Sequence, residues 1–591
     1  MARQPKSVES PNAPPEPARA AGARAAPWVV AVVTLITFAR VVGQPFTDVD
    51  DALTIYANPR LSPQDHPPRW DGEGIGYYWT HSELSLYVPV TYTVWGALAA
   101  ASWVPTPDDA GARVDPRFFH AASLLVHVAA AVFVYALLAR LLRRPRQAGG
   151  AARGHPWAAA AGALLFGLHP LQVETVAWAS GLKDLLAGAF GLAAVALYLR
   201  ATADAEDDGR PRFRWPSYLL ATACLVLAAL SKPSAVVVPG LAGVIELIWL
   251  RRPVRGVVMR LAPWVLLMAP VVVVGKVAQP GAVVAPTPVV QRPVVAGASL
   301  AFYAGKLVLP VDLAFDYGWK PPVILARPTT WVLAGAAGAV LVGLAVAVLR
   351  WRDATGPRAW LAGTLWMTAA LLPVLGLVPF HYQQVSTVAD HYAYVALVGP
   401  ALVLAWLIAR RDWAPRPRLI IAPTLVVLFI ALAARSVHQF GYWEGTEVFA
   451  RRVLAVTPRS ALGHSVLGRH LMLKPGRQAD AEASMRAAIR YEPLFLNART
   501  LLVTLLATQG RVDEAVREIH DLRAVNAQLP ESDRKDFDDI FLQTGQVTLE
   551  TGRPARAVRY FEEALKLRPG DPRATEGLRK AREAIATPRS K

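Results

Sequence analysis

The chain has 591 residues, 54% of them hydrophobic and only 18% charged, whereas soluble globular proteins carry about 25% charged residues. A length that would make about four soluble domains at ~150 residues each therefore reads as a polytopic membrane protein with a soluble part attached. Sixty-two Lys plus Arg against forty-four Asp plus Glu give a net +18, but the excess sits in short loops beside apolar segments, as the positive-inside rule requires, and no basic face with aromatic platforms marks a nucleic-acid surface.

Residues 1–24, rich in Pro, Ala, Glu and Arg, read as a disordered cytoplasmic tail. Ala25 to Val42 is an apolar run followed by further runs, so it is expected to be an uncleaved anchor. A polar loop, 43–117, follows on the far side of the membrane and contains PFTDVDDALTIYANP. Phe118 to Leu141 returns to RLLRRPRQ, the charge run that sets the orientation. The segments 157–171 and 184–199 go out and back to RATADAEDDGRPRFR. The pair 217–232 and 234–250 does the same, ending at RRPVRGVVMR, and 261–278 goes out again. The lone cysteine, Cys224, lies in one of these runs. It excludes an intramolecular disulfide and a cysteine metal site, and reads as a small apolar residue.

Residues 295–310 are apolar but short, and a full crossing there would put RWRDATGPR on the wrong side. Two readings are open: a re-entrant or interfacial element, which is the expectation adopted, or a further short crossing near 321–330. The segments 331–349, 359–379, 389–409 (ending at ARRDWAPRPR) and 418–435 complete eleven expected crossings. This makes 25–435 a membrane domain.

After Arg435 the chain changes to Ala- and Leu-rich helical periodicity with charged faces. Three stretches, SALGHSVLGRHLMLKPGRQADAEASMRAAIRYEP, LFLNARTLLVTLLATQGRVDEAVREIHDL and DDIFLQTGQVTLETGRPARAVRYFEEALKLRPG, each read helix, Gly-containing turn, helix. Ala515 and Ala557 stand where paired helices approach closely. Pro458 and Pro493 are 35 residues apart, near the ~34 of a tetratricopeptide repeat. Residues 436–580 are thus expected to form an α-solenoid of such repeats on the far side, followed by a tail, 581–591.

Most ionisable groups near the membrane cluster at far-side ends of the expected spans rather than at mid-membrane, where a transporter would hold them. They are Asp48, Asp50 and Asp51; His169, Glu174, Lys183 and Asp184; Lys232; Lys306, Asp312 and Asp316; His381, Asp390 and His391. An acidic pair after the first span suits deprotonation of an acceptor that attacks a sugar carbon whose leaving group is a lipid phosphate. Lys183, Lys232, Lys306 and His391 could meet the departing charge. The competing reading of the acidic residues is plain solvated side chains. His120 and His127, seven apart, are too widely spaced for an i, i+4 metal pair and read as structural. His169, before Pro170, could cap a carbonyl. Tyr77, Tyr78, Trp79, Tyr87, Tyr92 and Trp95 read as an interface belt, with sugar or lipid stacking as the alternative.

Several strings resemble those of the transmembrane and tetratricopeptide-repeat proteins related to protein O-mannosyltransferases, in the GT-C glycosyltransferase class. They are LHPLQVETVAWASGLKDLL (168–186), FTDVDDALTIYANP, RFFHAASLLVHVAAA, SKPSAVVVP, YAGKLVLPVDLAFDY, ADHYAYVALVG and YWEGTEVF, and the resemblance covers about residues 26 to 570. It implies an all-α GT-C-type membrane domain and a polyprenyl- or dolichyl-phosphate sugar donor. It also implies inverting transfer on the extracytoplasmic face, with Asp50 or Asp51 as the base. His169, Glu174, Lys183 and Asp184 would shape the site, Lys232 would lie near the lipid phosphate, and Asp390 would orient part of the cavity. Two departures stand out. Gly181-Leu182 replaces charged residues before Lys183-Asp184, and His391 replaces an arginine, which removes a bidentate fork and makes the charge conditional on protonation.

A monophosphate leaving group with lysines nearby favours metal-independent chemistry with no cofactor beyond the donor substrate. The expected partners are the lipid-linked sugar and a protein acceptor recruited by the repeats, in a bacterial inner membrane with the site facing the periplasm. The alternatives are a lipid or polysaccharide acceptor, a non-catalytic repeat scaffold and, last, a transporter.

Overall fold

A computed structural model describes residues 16–108, 111–143, 155–203, 213–278, 287–351, 354–410, 415–529, 534 and 539–586. Three of the four charge runs that carry the expected orientation lie partly outside these residues, as do 1–15 of the expected tail and 587–591 of the C-terminal one. The chain is all-α among the described residues, with two isolated bridges, Glu83 to Leu86 and Trp103 to Val114.

In chain order the first helices are α1 (Glu16–Phe38), α2 (Pro89–Ser102), α3 (Pro116–Leu141), α4 (Pro156–Leu168), α5 (Val173–Ala177), α6 (Leu182–Ala201), α7 (Trp215–Ser231) and α8 (Val238–Val244). Then come α9 (Val254–Ala278), α10 (Arg292–Val308), α11 (Pro321–Leu325), α12 (Pro328–Arg350), α13 (Thr355–Leu371), α14 (Val398–Ala409) and α15 (Pro415–Phe440). Proline stands in the first turn of α2, α3, α4, α7 and α12, where its missing N–H has no helical partner to lose and its fixed φ suits the helix. Helix α1 starts at Glu16, inside the stretch expected to be a disordered tail, because ARAAGARAA is built from strong helix formers.

Among the described residues six helices are long and apolar enough to cross a membrane: Arg24–Gly43, Pro116–Leu141, Ala179–Ala201, Val254–Ala278, Pro328–Arg350 and Ile420–Trp443. Six of the eleven expected crossings coincide with these helices. Four of the remaining segments are shorter apolar helices, Pro156–Leu168, Trp215–Ser231, Pro233–Trp249 and Val398–Ala409. The fifth, 359–379, divides into α13 and a tight turn, Leu372–Val374. At ~1.5 Å per residue α4 rises only about 20 Å, less than the ~30 Å of hydrocarbon in a bilayer. Prolines make the breaks: Pro170 follows α4, Pro233 follows α7 and Pro373 follows α13.

The region 295–310 is helix α10, which packs along α12 with Gly297 against Ala334. The short crossing considered near 321–330 is instead the one-turn helix α11 and the start of α12. Helix α4 is enclosed by α1, α3 and α14, and its alanines are buried. Helices α13 and α14 cross at Gly363 and Gly399; a Cβ on Gly399 would lie 2.1 Å from the Gly363 carbonyl oxygen. Small residues at such crossings let backbones approach closely where lipid supplies no hydrophobic drive. By contrast α12 has most of its surface exposed.

Beyond α15, which continues past residue 435 to Phe440, come α16 (Thr446–Val456), α17 (Ala461–Met472), α18 (Gln478–Tyr491), α19 (Leu496–Gln509), α20 (Val512–Ala527), α21 (Ile540–Glu550), α22 (Pro554–Leu567) and α23 (Pro572–Ala586). Helices α17/α18, α19/α20 and α21/α22 form successive pairs, joined by turns with Gly476, Gly510 and Gly552 at positive φ. Ala515 and Ala557 are fully buried at the pair interfaces. The region is a stack of helix pairs, a helical repeat in its general form.

Candidate functional site

The breaks between helices gather at one place. The segment 44–58, the α4–α6 connection, the Lys232-Pro233 break, the loop 309–320 and the segment 381–397 carry nearly all the polar residues singled out by sequence, and hydrogen bonds tie them together. Irregular backbone of this kind is stable near a membrane only where protein covers it or a cavity is lined by it.

Asp51 is fully buried. The Ser180 backbone N–H and hydroxyl donate to its Oδ1 at 2.9 and 2.6 Å, and the Thr47 N–H and hydroxyl donate to Oδ2 at 3.0 and 3.1 Å. Burial pushes its carboxyl above the usual aspartate range, against the lowering pull of these bonds. Its lone pairs are spent on holding the first loop to residue 180. Asp50 differs. Its backbone carbonyl accepts from the Thr54 N–H and hydroxyl at 2.8 and 2.9 Å, but its half-buried carboxylate has no hydrogen bond or ion pair among the described residues. It lies in the field of the Lys183 ammonium.

Lys183 donates to the Ser180 carbonyl at 3.0 Å and sits 4.1 Å from the centre of the Trp178 ring. Gly181 makes this corner possible, since a Cβ there would lie 2.4 Å from the Thr175 carbonyl oxygen. The Gly181-Leu182 departure thus coincides with a backbone approach that admits no side chain. Asp184 accepts from Lys232 Nζ at 2.5 Å through Oδ1, while its Oδ2 is buried without a protein partner. The Trp178 indole N–H is likewise unpaired. Buried polar atoms of this kind call for a water or a ligand.

Glu174 Oε1 pairs with His391 Nδ1 and also accepts from the His391 backbone N–H at 3.3 Å. With Nδ1–H donating, a neutral ring leaves Nε2 as an acceptor. Burial first, and the negative charge of Asp390 next, raise the Glu174 carboxyl well above the usual glutamate range. Asp390 Oδ1 accepts from the Tyr317 hydroxyl at 2.6 Å.

Asp184, Lys232, His391 and Tyr392 line a narrow cleft, about 690 Å³ including its open mouth, whose other walls are mainly apolar side chains of α6, α8 and α13 such as Leu192, Val238 and Trp366. It is polar among these residues and apolar along the helices.

Other residues from the sequence stand elsewhere or do different work. His169 is a cap: its Nδ1 accepts from the Leu171 N–H at 3.2 Å and Nε2 donates to the Leu307 carbonyl at 3.1 Å. Lys306 donates to the carbonyls of Val311 and Asp312 at 2.7 and 3.2 Å. Asp312 is largely exposed and 3.6 Å from Arg452. Asp316 accepts from the Gly318 N–H and the Ser460 hydroxyl, Asp48 accepts from the Tyr56 hydroxyl and pairs with Arg469, and His381 is exposed beside Gln384. His127 is structural, bound to Tyr394 and to the Gly167 carbonyl, and His120 is buried beside the Pro45 carbonyl. Among the aromatics, Tyr78, Tyr92 and Trp95 are core residues rather than a belt, with Tyr78 and Tyr92 stacked at 3.7 Å; Trp79 is exposed. No group of three or more His, Cys, Asp or Glu among the described residues is arranged to hold a metal ion.

Sequence reasoning missed Ser180, Thr47, Tyr317 and Trp178. Ser180 and Trp178 lie inside the most specific quoted string, but what they hold is 129 residues away in one case and carried by a ring face in the other. A scan of the sequence against protein-family models gives no match, and a search of curated proteins gives none either.

Proposed function

We propose that the chain is a membrane glycosyltransferase of the GT-C kind, which moves a sugar from a polyprenyl-phosphate donor to an acceptor, a protein hydroxyl, on the extracytoplasmic face of a bacterial inner membrane. The observation that carries this reading is Lys232 at the polar end of a cleft with mainly apolar walls, together with Lys183 in the field of Asp50, whose carboxylate has no hydrogen bond or ion pair among the described residues. An isoprenoid chain needs an apolar lane and its phosphate needs cations. Lys232 lines that junction, and the charge of Lys183 is felt by both Lys232 and Asp50.

In this account Asp50 takes the proton from the acceptor O–H. The acceptor oxygen attacks the anomeric carbon from the face opposite the phosphate, and the bond from that carbon to the phosphate oxygen breaks with inversion. The electron pair leaves on the polyprenyl phosphate, whose charge Lys232 and Lys183 stabilise. Asp51, already saturated by four hydrogen bonds, holds the loop and is not the base. His391, paired to Glu174, does not replace an arginine fork, so the cationic duty falls to the lysines. The reaction needs no metal for this charge balance. The helix pairs from α17 to α22 act as tetratricopeptide repeats that present the acceptor.

The test is transfer from polyprenyl-phosphate mannose and polyprenyl-phosphate glucose by the full chain in nanodiscs. Asp50→Asn should abolish transfer while the protein stays folded. Full activity of Asp50→Asn sinks the assignment of the base, and a wild type that transfers from neither donor, with a partner retained on affinity capture, favours the scaffold reading.

A further inference from the structure

The C-terminal helices do more than hang from the membrane part. On one side they hold the turn that carries Asp50. Arg469 of α17 donates to the Asp48 backbone carbonyl and stands 3.7 Å from the Asp48 carboxylate, while the Asp48 N–H donates to the hydroxyl of Thr446 in α16 at 3.2 Å. Two residues later comes the free carboxylate of Asp50. On the other side they hold the loop that carries the partner of Asp390. Ser460, the N-cap of α17, donates its hydroxyl to Asp316 Oδ2 at 2.6 Å, and Thr457 donates to the Asp316 carbonyl at 2.8 Å. Arg452 of α16 adds a bond to the Leu313 carbonyl at 3.0 Å, beside one from Gln439 of α15 at 3.3 Å, and Lys320 pairs with Glu492. Tyr317, the residue after Asp316, donates to Asp390.

We infer that α16 and α17 are part of the machinery of the site: Arg469 is a positioning residue for Asp50, and Ser460 is a positioning residue for the Tyr317–Asp390 pair. Both contacts are made within one helix and its cap, so a movement of α17 shifts both loops together. Neither residue touches the cleft. Their effect on chemistry passes through loop geometry, where a displacement of ~1 Å costs up to about a hundredfold in rate. The kinetic consequence rests on the glycosyl-transfer reading; the mechanical one does not.

The experiment is hydrogen–deuterium exchange on the full chain in nanodiscs, paired with transfer kinetics from polyprenyl-phosphate mannose. Arg469→Ala should speed exchange in 44–58, Ser460→Ala should speed it in 311–320, and Arg499→Ala, which breaks an ion pair with Glu518 between α19 and α20, should leave both segments unchanged. In the kinetic arm Arg469→Ala should lower kcat about tenfold with the donor KM within about twofold, and Arg469→Lys should recover most of the loss because it keeps a cation beside Asp48. Unchanged exchange in 44–58 for Arg469→Ala overturns the proposal, as does equal loosening by Arg499→Ala. A rise in donor KM that accounts for the whole kinetic loss also overturns it, since Arg469 would then be binding the donor. If the wild type transfers no sugar, the functional reading falls and the exchange result alone decides the bracing.

Discussion

Asp51 and Ser180, 129 residues apart, are joined by two hydrogen bonds to one carboxylate oxygen, from the serine N–H at 2.9 Å and its hydroxyl at 2.6 Å. The bonds pin the first extramembrane loop to the corner that carries Lys183 and Asp184, and they give two neighbouring aspartates different surroundings. Asp51→Ala leaves the Ser180 and Thr47 N–H groups buried without acceptors and should cost about 3 kcal/mol. Asp51→Asn keeps the bonds to Ser180 but turns an NH2 toward the Thr47 N–H, so it too should lower the thermal midpoint. Asp50→Asn should not. Thermal unfolding of the three variants in detergent checks the contrast.

Lys232 and Asp184 are mostly buried, with side chains 14% and 9% exposed. Breaking such a pair strands a charge, typically at about 3–5 kcal/mol, whereas removing both charges can be neutral. Lys232→Met should therefore destabilise the protein, and Lys232→Met with Asp184→Leu should recover the midpoint. Donor binding should not recover: the double variant should show a donor KM raised by about tenfold or more, because the phosphate has lost its cation. Recovery of both would remove Lys232 from the donor site.

The Glu174–His391 pair makes a pH prediction. The Glu174 carboxyl is raised above its ordinary 4.5 in the folded protein, so the unfolded chain sheds this proton at lower pH than the native one. Its contribution to stability is fully present below about that ordinary value and is lost as pH rises through the higher folded value. Glu174→Gln keeps a carbonyl oxygen for the His391 bonds and cannot ionise. It should flatten this decline and unfold at a higher temperature than wild type on the alkaline side. A midpoint that falls equally in both proteins would contradict the assignment.

Gly181→Ala puts a methyl 2.4 Å from the Thr175 carbonyl oxygen. Backbone must move to admit it, at a cost of about 1–3 kcal/mol, and the movement displaces Lys183 two residues on. The variant should be both less stable and slower in transfer, whereas Gly335→Ala on the exposed face of α12, where nothing lies within 4 Å of the new Cβ, should change neither.

The six long helices were legible because their apolar runs are long and bounded by charge, and the helix pairs because Gly510 and Gly552 mark turns while Ala515 and Ala557 mark close packing. What hydropathy did not show was where an apolar run breaks and which of its faces is covered by protein. Helix α4 is as apolar as any span, yet Pro170 stops it after Leu168, and its alanines face protein rather than lipid. The site was legible as a set of residue types and not as a set of pairs. Lys232 meets Asp184 across 48 residues and His391 meets Glu174 across 217, distances over which local spacing carries no signal. Asp50 and Asp51 are adjacent and chemically identical in sequence; only the fold, by filling one carboxylate with Ser180 and Thr47, tells them apart.

In the proposed reaction a sugar leaves a lipid phosphate as Asp50 takes the acceptor's proton. Intact-mass comparison of extracytoplasmic proteins and glycolipids from cells carrying the wild type, Asp50→Asn or no copy of the gene tests it most directly. A sugar mass should be added to protein in the wild type alone, with Asp50→Asn indistinguishable from the deletion although present in the membrane in equal amount. The same modified protein in the Asp50→Asn cells, or no mass difference among the three in either protein or lipid, would contradict it.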